Sequence, residues 1–158
     1  MGYRSEVAII VQMDRPEKAD KKHSDKTIKD WNLFISELKA NPKCEKALAW
    51  LTEKDSFMDY GGIDMKNCSL YAHFESIKWY GSYPEVKSFE AILEIAQEYI
   101  DQTKHQFEMS ACFLRVGEEV DDIERDAWGE EGYDLAYISP ATIQMDWNAF
   151  DKENKLLT

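Results

Sequence analysis

Residues 115–134, RVGEEVDDIERDAWGEEGYD, are dense in carboxylates. The acids are Glu118, Glu119, Asp121, Asp122, Glu124, Asp126, Glu130, Glu131 and Asp134. After Arg115, the segment contains a single further base, Arg125. Carboxylates at this density could bind a divalent cation, act as a general acid and base, or face a basic surface on another protein.

The spacing argues against an EF-hand calcium loop. Such a loop places oxygen ligands at alternating positions and a glycine at the sixth. Counted from Asp121, two of the ligand positions are occupied by Ile123 and Arg125, so the pattern fails. A looser divalent site built from Glu118, Asp121 and Asp122 remains open, but nothing in the spacing requires these carboxylates to converge. The favoured interpretation therefore includes no metal.

Two other interpretations of the segment compete. In the first, acids and nearby aromatic residues form a partner-binding surface: Glu118, Glu119, Asp121, Asp122, Trp128 and Tyr133. In the second, residues 118–127 form a short helix with an acid-rich start, and Val120, Ile123 and Ala127 pack inward. Arg4 and Arg115 could pair with Asp121 or Asp122 of the EVDD sequence, which would make the acidic segment partly structural.

A second cluster, KWYGSYP, combines aromatic side chains with one lysine. Trp79, Tyr80 and Tyr83 lie where a predicted strand leads into a predicted helix. Such residues could stack a nucleotide-like ligand or form a hot spot for protein contact. The alternative is that Trp79 and Tyr83 close the core over the helix.

Nucleophilic catalysis has weak support. His73 and His105 could join Cys112 across neighbouring strands, but each has a simpler structural role. His73 fits a sheet residue, His105 a helix end, and Cys112 the core. Phosphate-binding, dinucleotide-binding, zinc-protease and nucleophile-elbow motifs are absent from the sequence. We therefore predict no catalytic residue and no cofactor.

The overall charge excludes some partners. The 158 residues contain 19 bases and 31 acids, giving a formal net charge of −12. Such a chain repels nucleic acid and anionic membrane surfaces and is attracted to a basic protein surface. Three scattered cysteines and an N-terminal apolar run of only five residues indicate a reduced, cytoplasmic compartment, with neither a disulfide scaffold nor a signal peptide.

Apolar periodicity predicts the elements that must position these residues. Strands are expected over residues 6–13, 68–80, 105–116 and 143–147, and helices over 28–38, 42–51 and 84–100. The first strand is apolar on both faces, as in a strand covered on both sides. The apolar register slips between Phe74 and Ile77, which predicts a bulge or a twist in the strand there. The pair Gly61 and Gly62 predicts a turn or a small hairpin.

Helices and strands mix without a strict alternation, which favours an α+β fold. We predict a single domain over residues 1–158, with a mostly antiparallel sheet of four to five strands packed against two to three helices. A further strand from FMDYGGIDM would complete the β-α-β-β-α-β order of a ferredoxin-like fold. The polar tail, residues 151–158, is expected to fray.

Three segments of the sequence form a distinctive combination: GYRSEVAI at 2–9, FESIKWYGSYPEVKSFE at 74–90 and FLRVGEEVDDIE at 113–124. They resemble a family of small proteins encoded by phages and prophages. The resemblance implies an accessory protein carried by a phage and acting inside a bacterial cell. It implies no activity and assigns no role to any residue.

The leading hypothesis is that the protein acts by binding a host protein with a basic surface, such as a defence or nucleic-acid-handling factor. One alternative is a module that sequesters a nucleotide-like small molecule. Another is a metal-dependent hydrolase that uses the acidic segment. Homo-oligomerisation is left open by the sequence.

Overall fold

The fold was analysed in a computed structural model, which describes residues 2–13, 25–53, 58–103, 109–119, 121–129, 132, 135–138 and 142–145. The strands are β1 (Ser5–Met13), β2 (Tyr60–Asp64), β3 (Ser69–Ile77), β4 (Met109–Gly117), β5 (Ile123–Trp128), β6 (Ala136–Ile138) and β7 (Ile143–Met145). The helices are α1 (Asp25–Ala40), α2 (Glu45–Thr52) and α3 (Pro84–Thr103), with a 3₁₀ turn at Pro42–Cys44. Among the described residues, no helix is both long enough and apolar enough to span a membrane. The tail, residues 151–158, lies outside the described part.

Five strands form one antiparallel sheet in the order β2-β3-β1-β4-β5. This confirms the predicted α+β fold. The first four of these strands, with α1 and α2 before β2 and α3 before β4, follow the β-α-β-β-α-β order of a ferredoxin-like arrangement. The fifth strand, β5, extends the sheet beyond β4 and forms its edge.

The central strand β1 is buried on both faces, as its continuous apolar run predicts. One face packs against the helices. Val7, Ile9 and Val11 of β1 meet Trp31 and Phe34 of α1 in this larger core. Met109, Ala111 and Phe113 of β4 belong to the same cluster, so β4 also turns an apolar face toward the helices over its described residues.

The opposite face of the sheet is covered by the hairpin of β6 and β7. Ala8 and Ile10 of β1 pack there with Tyr71, Leu135 and Ile143. The sequence predicted the last strand but missed β6. The last strand does not join the main sheet: among the described strands, β7 pairs only with β6. Both strands are three residues long, too short for a clear alternation to appear in the sequence. Trp147 lies outside the described residues.

Two local predictions for β2 and β3 have different outcomes. The bulge is confirmed, because Ser5 pairs with Ile77 while Val7 pairs with Phe74, so β3 carries one extra residue there. The turn at Gly61 is wrong, because this glycine lies inside β2. A Cβ atom at Gly61 would lie 2.5 Å from the carbonyl oxygen of Tyr71, so glycine is required by the close approach of two strands.

The predicted acidic helix at residues 118–127 is also wrong. Residues 123–128 form β5, which returns along β4 after a tight turn closed by a hydrogen bond from the Gly117 amide to the Asp122 carbonyl (2.8 Å). Ile123 is 44% exposed instead of packed inward, while Ala127 is half-buried against the hairpin-side core. Val120 lies outside the described residues. The strand forms because it pairs with β4, a contact that local periodicity does not report.

Candidate functional site

The carboxylates between β4 and β5, here called the acidic turn, are Glu118, Glu119, Asp121 and Asp122. Asp122 is folded back onto its own chain. Its Oδ1 accepts a hydrogen bond from Arg115 Nη2 (2.5 Å), and its Oδ2 accepts from Arg115 Nη1 (3.0 Å) and from the Tyr3 hydroxyl (2.6 Å). Two parallel bonds between a guanidinium and a carboxylate form a strong, geometrically specific pair. The predicted pairing of Arg115 with an aspartate of EVDD is therefore confirmed.

Arg115 has further partners that fix its position. Its Nε donates to Glu124 Oε1 (2.7 Å) and its Nη1 to Ser5 Oγ (3.0 Å), and only 12% of its side chain is exposed. The hydrogen bonds from Arg115, and then that from Tyr3, lower the pKa of Asp122 from 3.8 to about 2. The same bond to Asp122 raises the pKa of Arg115 further above its usual value. This network makes part of the acidic segment structural.

The other acids of the turn have different surroundings. Glu118 is exposed and accepts a hydrogen bond from the backbone amide of Arg4 (2.8 Å). The guanidinium of Arg4 donates to the Ser76 carbonyl (3.3 Å) and not to a carboxylate of the turn. Glu119 and Asp121 are exposed. Among the described residues, no three His, Cys, Asp or Glu side chains are placed to hold a metal ion. The turn thus holds Asp122 internally and leaves its other carboxylates at the surface.

The three aromatic residues proposed as a ligand platform have different ring contacts. The Tyr80 hydroxyl accepts a hydrogen bond from the Tyr3 amide (2.7 Å), and its ring contacts Tyr83 edge-to-face at 5.1 Å between centroids. Trp79 instead packs against Phe89 of α3 and Phe113 of β4, at 5.9 and 6.2 Å.

Trp79 borders a groove of about 360 Å³ between α3 and β5. Its apolar lining includes Trp79, Phe113 and Trp128, and Val86 and Leu93 complete the side formed by α3. Phe113 is 9% exposed, so it forms the base of the groove, whereas the two tryptophans are half-buried and border it. Trp128, proposed from sequence as part of a partner surface, therefore belongs to this groove and lies away from the acidic turn. Tyr133, proposed with it, lies outside the described residues.

Four carboxylates surround this apolar base: Glu90 and Glu94 of α3, and Glu124 and Asp126 of β5. We call the whole feature the acidic groove. Among the described residues, no lysine, arginine or histidine lines the groove. Glu124 shares Arg115 with Asp122, while the exposed side chains of Glu90, Glu94 and Asp126 have no ion-pair partner in the described part of the chain. The groove therefore combines aromatic faces with uncompensated negative charge, which is the chemistry that attracts a cation.

Sequence reasoning missed the acidic groove as a site. Glu90 and Glu94 lie on a predicted helix, and charged residues beside an apolar stripe ordinarily face solvent. Their spacing could have indicated the site. These two glutamates are four residues apart with Leu93 between them, so on a helix they lie on one side, next to the apolar stripe. Their proximity to Asp126 could not be inferred without the pairing of β5 with β4.

The residues considered for catalysis are not brought together. His73 Nε2 contacts Glu6 Oε2 at 2.7 Å, and Glu6 Oε1 accepts a hydrogen bond from the Ile143 amide at 2.8 Å. This link ties β7 to the sheet. Cys112 is 1% exposed, and burial raises the pKa of its thiol to about 12, so little thiolate forms near neutral pH. His105 lies outside the described residues.

No protein-family model, curated protein or solved structure matches this chain. Similarity to known proteins therefore suggests no substrate or partner. The acidic groove is the feature of the described residues whose geometry and charge together favour a ligand of one chemical class.

Proposed function

We propose that this protein acts by binding a host protein that presents a basic surface. The observation that carries the proposal is the acidic groove, where Trp79 and Trp128 flank an apolar base surrounded by carboxylates. Interfaces are often anchored by aromatic side chains, and a rim of one charge attracts a partner of the opposite charge and speeds its association. The net charge of −12 adds a long-range attraction toward such a partner.

The three segments that resemble phage proteins suggest where such a binding protein would act. They support an accessory protein that acts in the cytoplasm of a bacterial host. A defence factor or a nucleic-acid-handling factor fits the proposal best, since such proteins carry basic surfaces that bind phosphates. An acidic protein could occupy such a surface in place of nucleic acid.

The proposal is tested by capture from bacterial lysate on the tagged protein, at low salt and at about 1 M salt, where the Debye length falls to about 3 Å. We expect a basic host protein that is retained at low salt, is released at high salt and binds directly after purification. Failure to retain any host protein at low salt would overturn the proposal.

Two matched double variants locate the contact. Glu90→Gln with Glu94→Gln removes two charges from the groove, and Glu119→Gln with Asp121→Asn removes two from the acidic turn. All four side chains are exposed, so neither pair is expected to disturb the core. The groove pair should lose the partner and the turn pair should keep it. The reverse result would retain a basic partner but move its contact to the acidic turn.

A further inference from the structure

The edge strand β5 lies directly beside the acidic groove. It pairs with β4 on one side, and no described strand pairs with it on the other. An unpaired edge presents backbone amides and carbonyls that can bind an added strand. A ligand that occupied the groove would therefore also lie within reach of a backbone edge.

The side chains of β5 alternate in a way that selects the incoming strand. Glu124, Asp126 and Trp128 face the groove, and Arg125 and Ala127 face the other way, since successive residues of a strand point to opposite faces. Charged residues on an edge discourage pairing with uncharged strands. Opposite charges at paired positions stabilise a sheet, and like charges destabilise it. The edge therefore disfavours a neutral or acidic strand and favours one with basic side chains on the groove face.

The chain itself contains an example of the required contact. Arg115 lies opposite Glu124 in the pairing of β4 with β5, and its Nε donates to that carboxylate at 2.7 Å. An incoming strand on the other side of β5 could place a guanidinium against Asp126 in the same manner. The same guanidinium would meet the ring of Trp128 or Trp79, because arginine stacks on aromatic faces while bonding to carboxylates.

We propose that an extended basic segment of the partner protein adds as a strand to the outer edge of β5 and inserts an arginine side chain into the acidic groove. This inference rests on the proposed function and specifies its partner: a segment with basic residues at alternate positions. A small cation would use the groove and leave the backbone edge unused, so the position of the groove at the sheet edge favours a peptide chain.

The test uses the purified full-length protein and a fluorescent nine-residue peptide with arginine at alternate positions among threonine and valine. Binding is measured by fluorescence anisotropy, and the contact is mapped by NMR amide shifts. We expect the largest shifts in β5 and on the groove side of α3. Asp126→Asn and Glu94→Gln should each weaken binding by about three- to tenfold, as for charges that contact a ligand. Glu119→Gln, in the acidic turn, should leave binding within about twofold.

Two altered peptides separate strand addition from simple charge attraction. A peptide of the same composition with contiguous arginines should bind at least about tenfold more weakly, because its basic side chains cannot all face the groove. N-methylation of alternate amides should cause a similar loss when the methylated amides are those that face β5, and a small loss when they are the intervening ones. The protein is unchanged in this comparison, so misfolding cannot explain the result.

Several outcomes would overturn the inference. These are absence of peptide binding, equal binding of the contiguous peptide, insensitivity to either pattern of N-methylation, or tighter binding of spermidine or arginine amide than of the peptide. Each of them could occur while a basic host protein is still captured through the acidic surface. The inference can thus fail while the proposed function survives. Loss of both peptide binding and lysate capture would remove the two together.

Discussion

The acidic turn and the acidic groove contain the same residue types in opposite situations. In the turn, Asp122 is paired with Arg115 and bonded to Tyr3. In the groove, Glu94 and Asp126 surround an aromatic floor, and no basic residue of the described part of the chain lines the groove to neutralise them. The ion pair of Asp122 with Arg115 thus stabilises the turn, whereas aromatic packing stabilises the groove, whose carboxylates Glu94 and Asp126 remain unpaired among the described residues. Carboxylate density in a sequence does not by itself distinguish these two situations.

The largest effect expected from this contrast is on the aromatic packing of the groove. Trp79→Ala removes a ring that contacts Phe74, Phe89 and Phe113, and it should lower the free energy of unfolding by about 3 kcal/mol. Urea denaturation followed by circular dichroism measures this. Tyr83→Ala is the matched control: this ring is 38% exposed, and its removal should cost about 1 kcal/mol. Equal costs would show that Trp79 is not part of the frame of the groove.

The next largest effect concerns the turn. Arg115→Met leaves Asp122 and Glu124 without their counter-charge and should cost roughly 2 kcal/mol, in the range for hydrogen bonds to charged groups. Arg125→Met is the control, since this arginine is exposed on the same hairpin and should cost less than about 0.5 kcal/mol. If the two arginine variants were equally stable, the ion pairs of Arg115 would contribute no more to stability than an exposed arginine does. The proposed difference between the turn and the groove would then be wrong.

A pH dependence tests the turn independently. The pKa of Asp122 is lowered to about 2 from 3.8, so the carboxylate stabilises the folded state fully above about pH 4, and this contribution is lost as the pH falls towards 2. The stability difference between the wild type and Asp122→Asn should therefore shrink across that interval. Asp121→Asn, on the exposed neighbour, should show a smaller difference from the wild type above about pH 4, where the Asp122 pair is fully formed. A constant difference for Asp122→Asn would contradict the internal pair.

The smallest effect has the opposite sign and belongs to the groove. Glu90 and Glu94 are four residues apart on α3, where like charges repel. Glu94→Gln should therefore raise the free energy of unfolding by about 0.3 kcal/mol at low salt, and the gain should disappear in about 1 M salt. The same variant should weaken the binding of a basic partner. A loss of stability would mean that Glu94 has a structural partner and is not surplus charge.

The sheet was largely predictable because its strands alternate or are continuously apolar, as in the run from Val7 to Val11. The edge strand β5 was not, because Ile123 and Ala127 are four residues apart and resemble one face of a helix. What determines β5 is its pairing with β4, including the contact between Glu124 and Arg115, and pairing is a tertiary property.

The candidate site was predictable only in part. Trp79 and Trp128 were each selected from the sequence, but in separate clusters and for separate reasons. Their meeting in one groove depends on the packing of α3 over β4 and β5. The internal pairing of Arg115 was predictable because bases are scarce in this part of an acidic chain, so a carboxylate beside one tends to find it.

The hairpin of β6 and β7 also has a consequence for synthesis of the chain. The five strands of the sheet have all left the ribosome once Trp128 has emerged, but the face that carries Ile10 and Tyr71 is not covered until Leu135 and Ile143 follow. Nascent chains that expose apolar surface are prone to aggregate or to bind chaperones. Between completion of the sheet and the covering of its second face, the nascent chain still exposes this apolar surface, so a pause in translation there should lower the yield of folded protein.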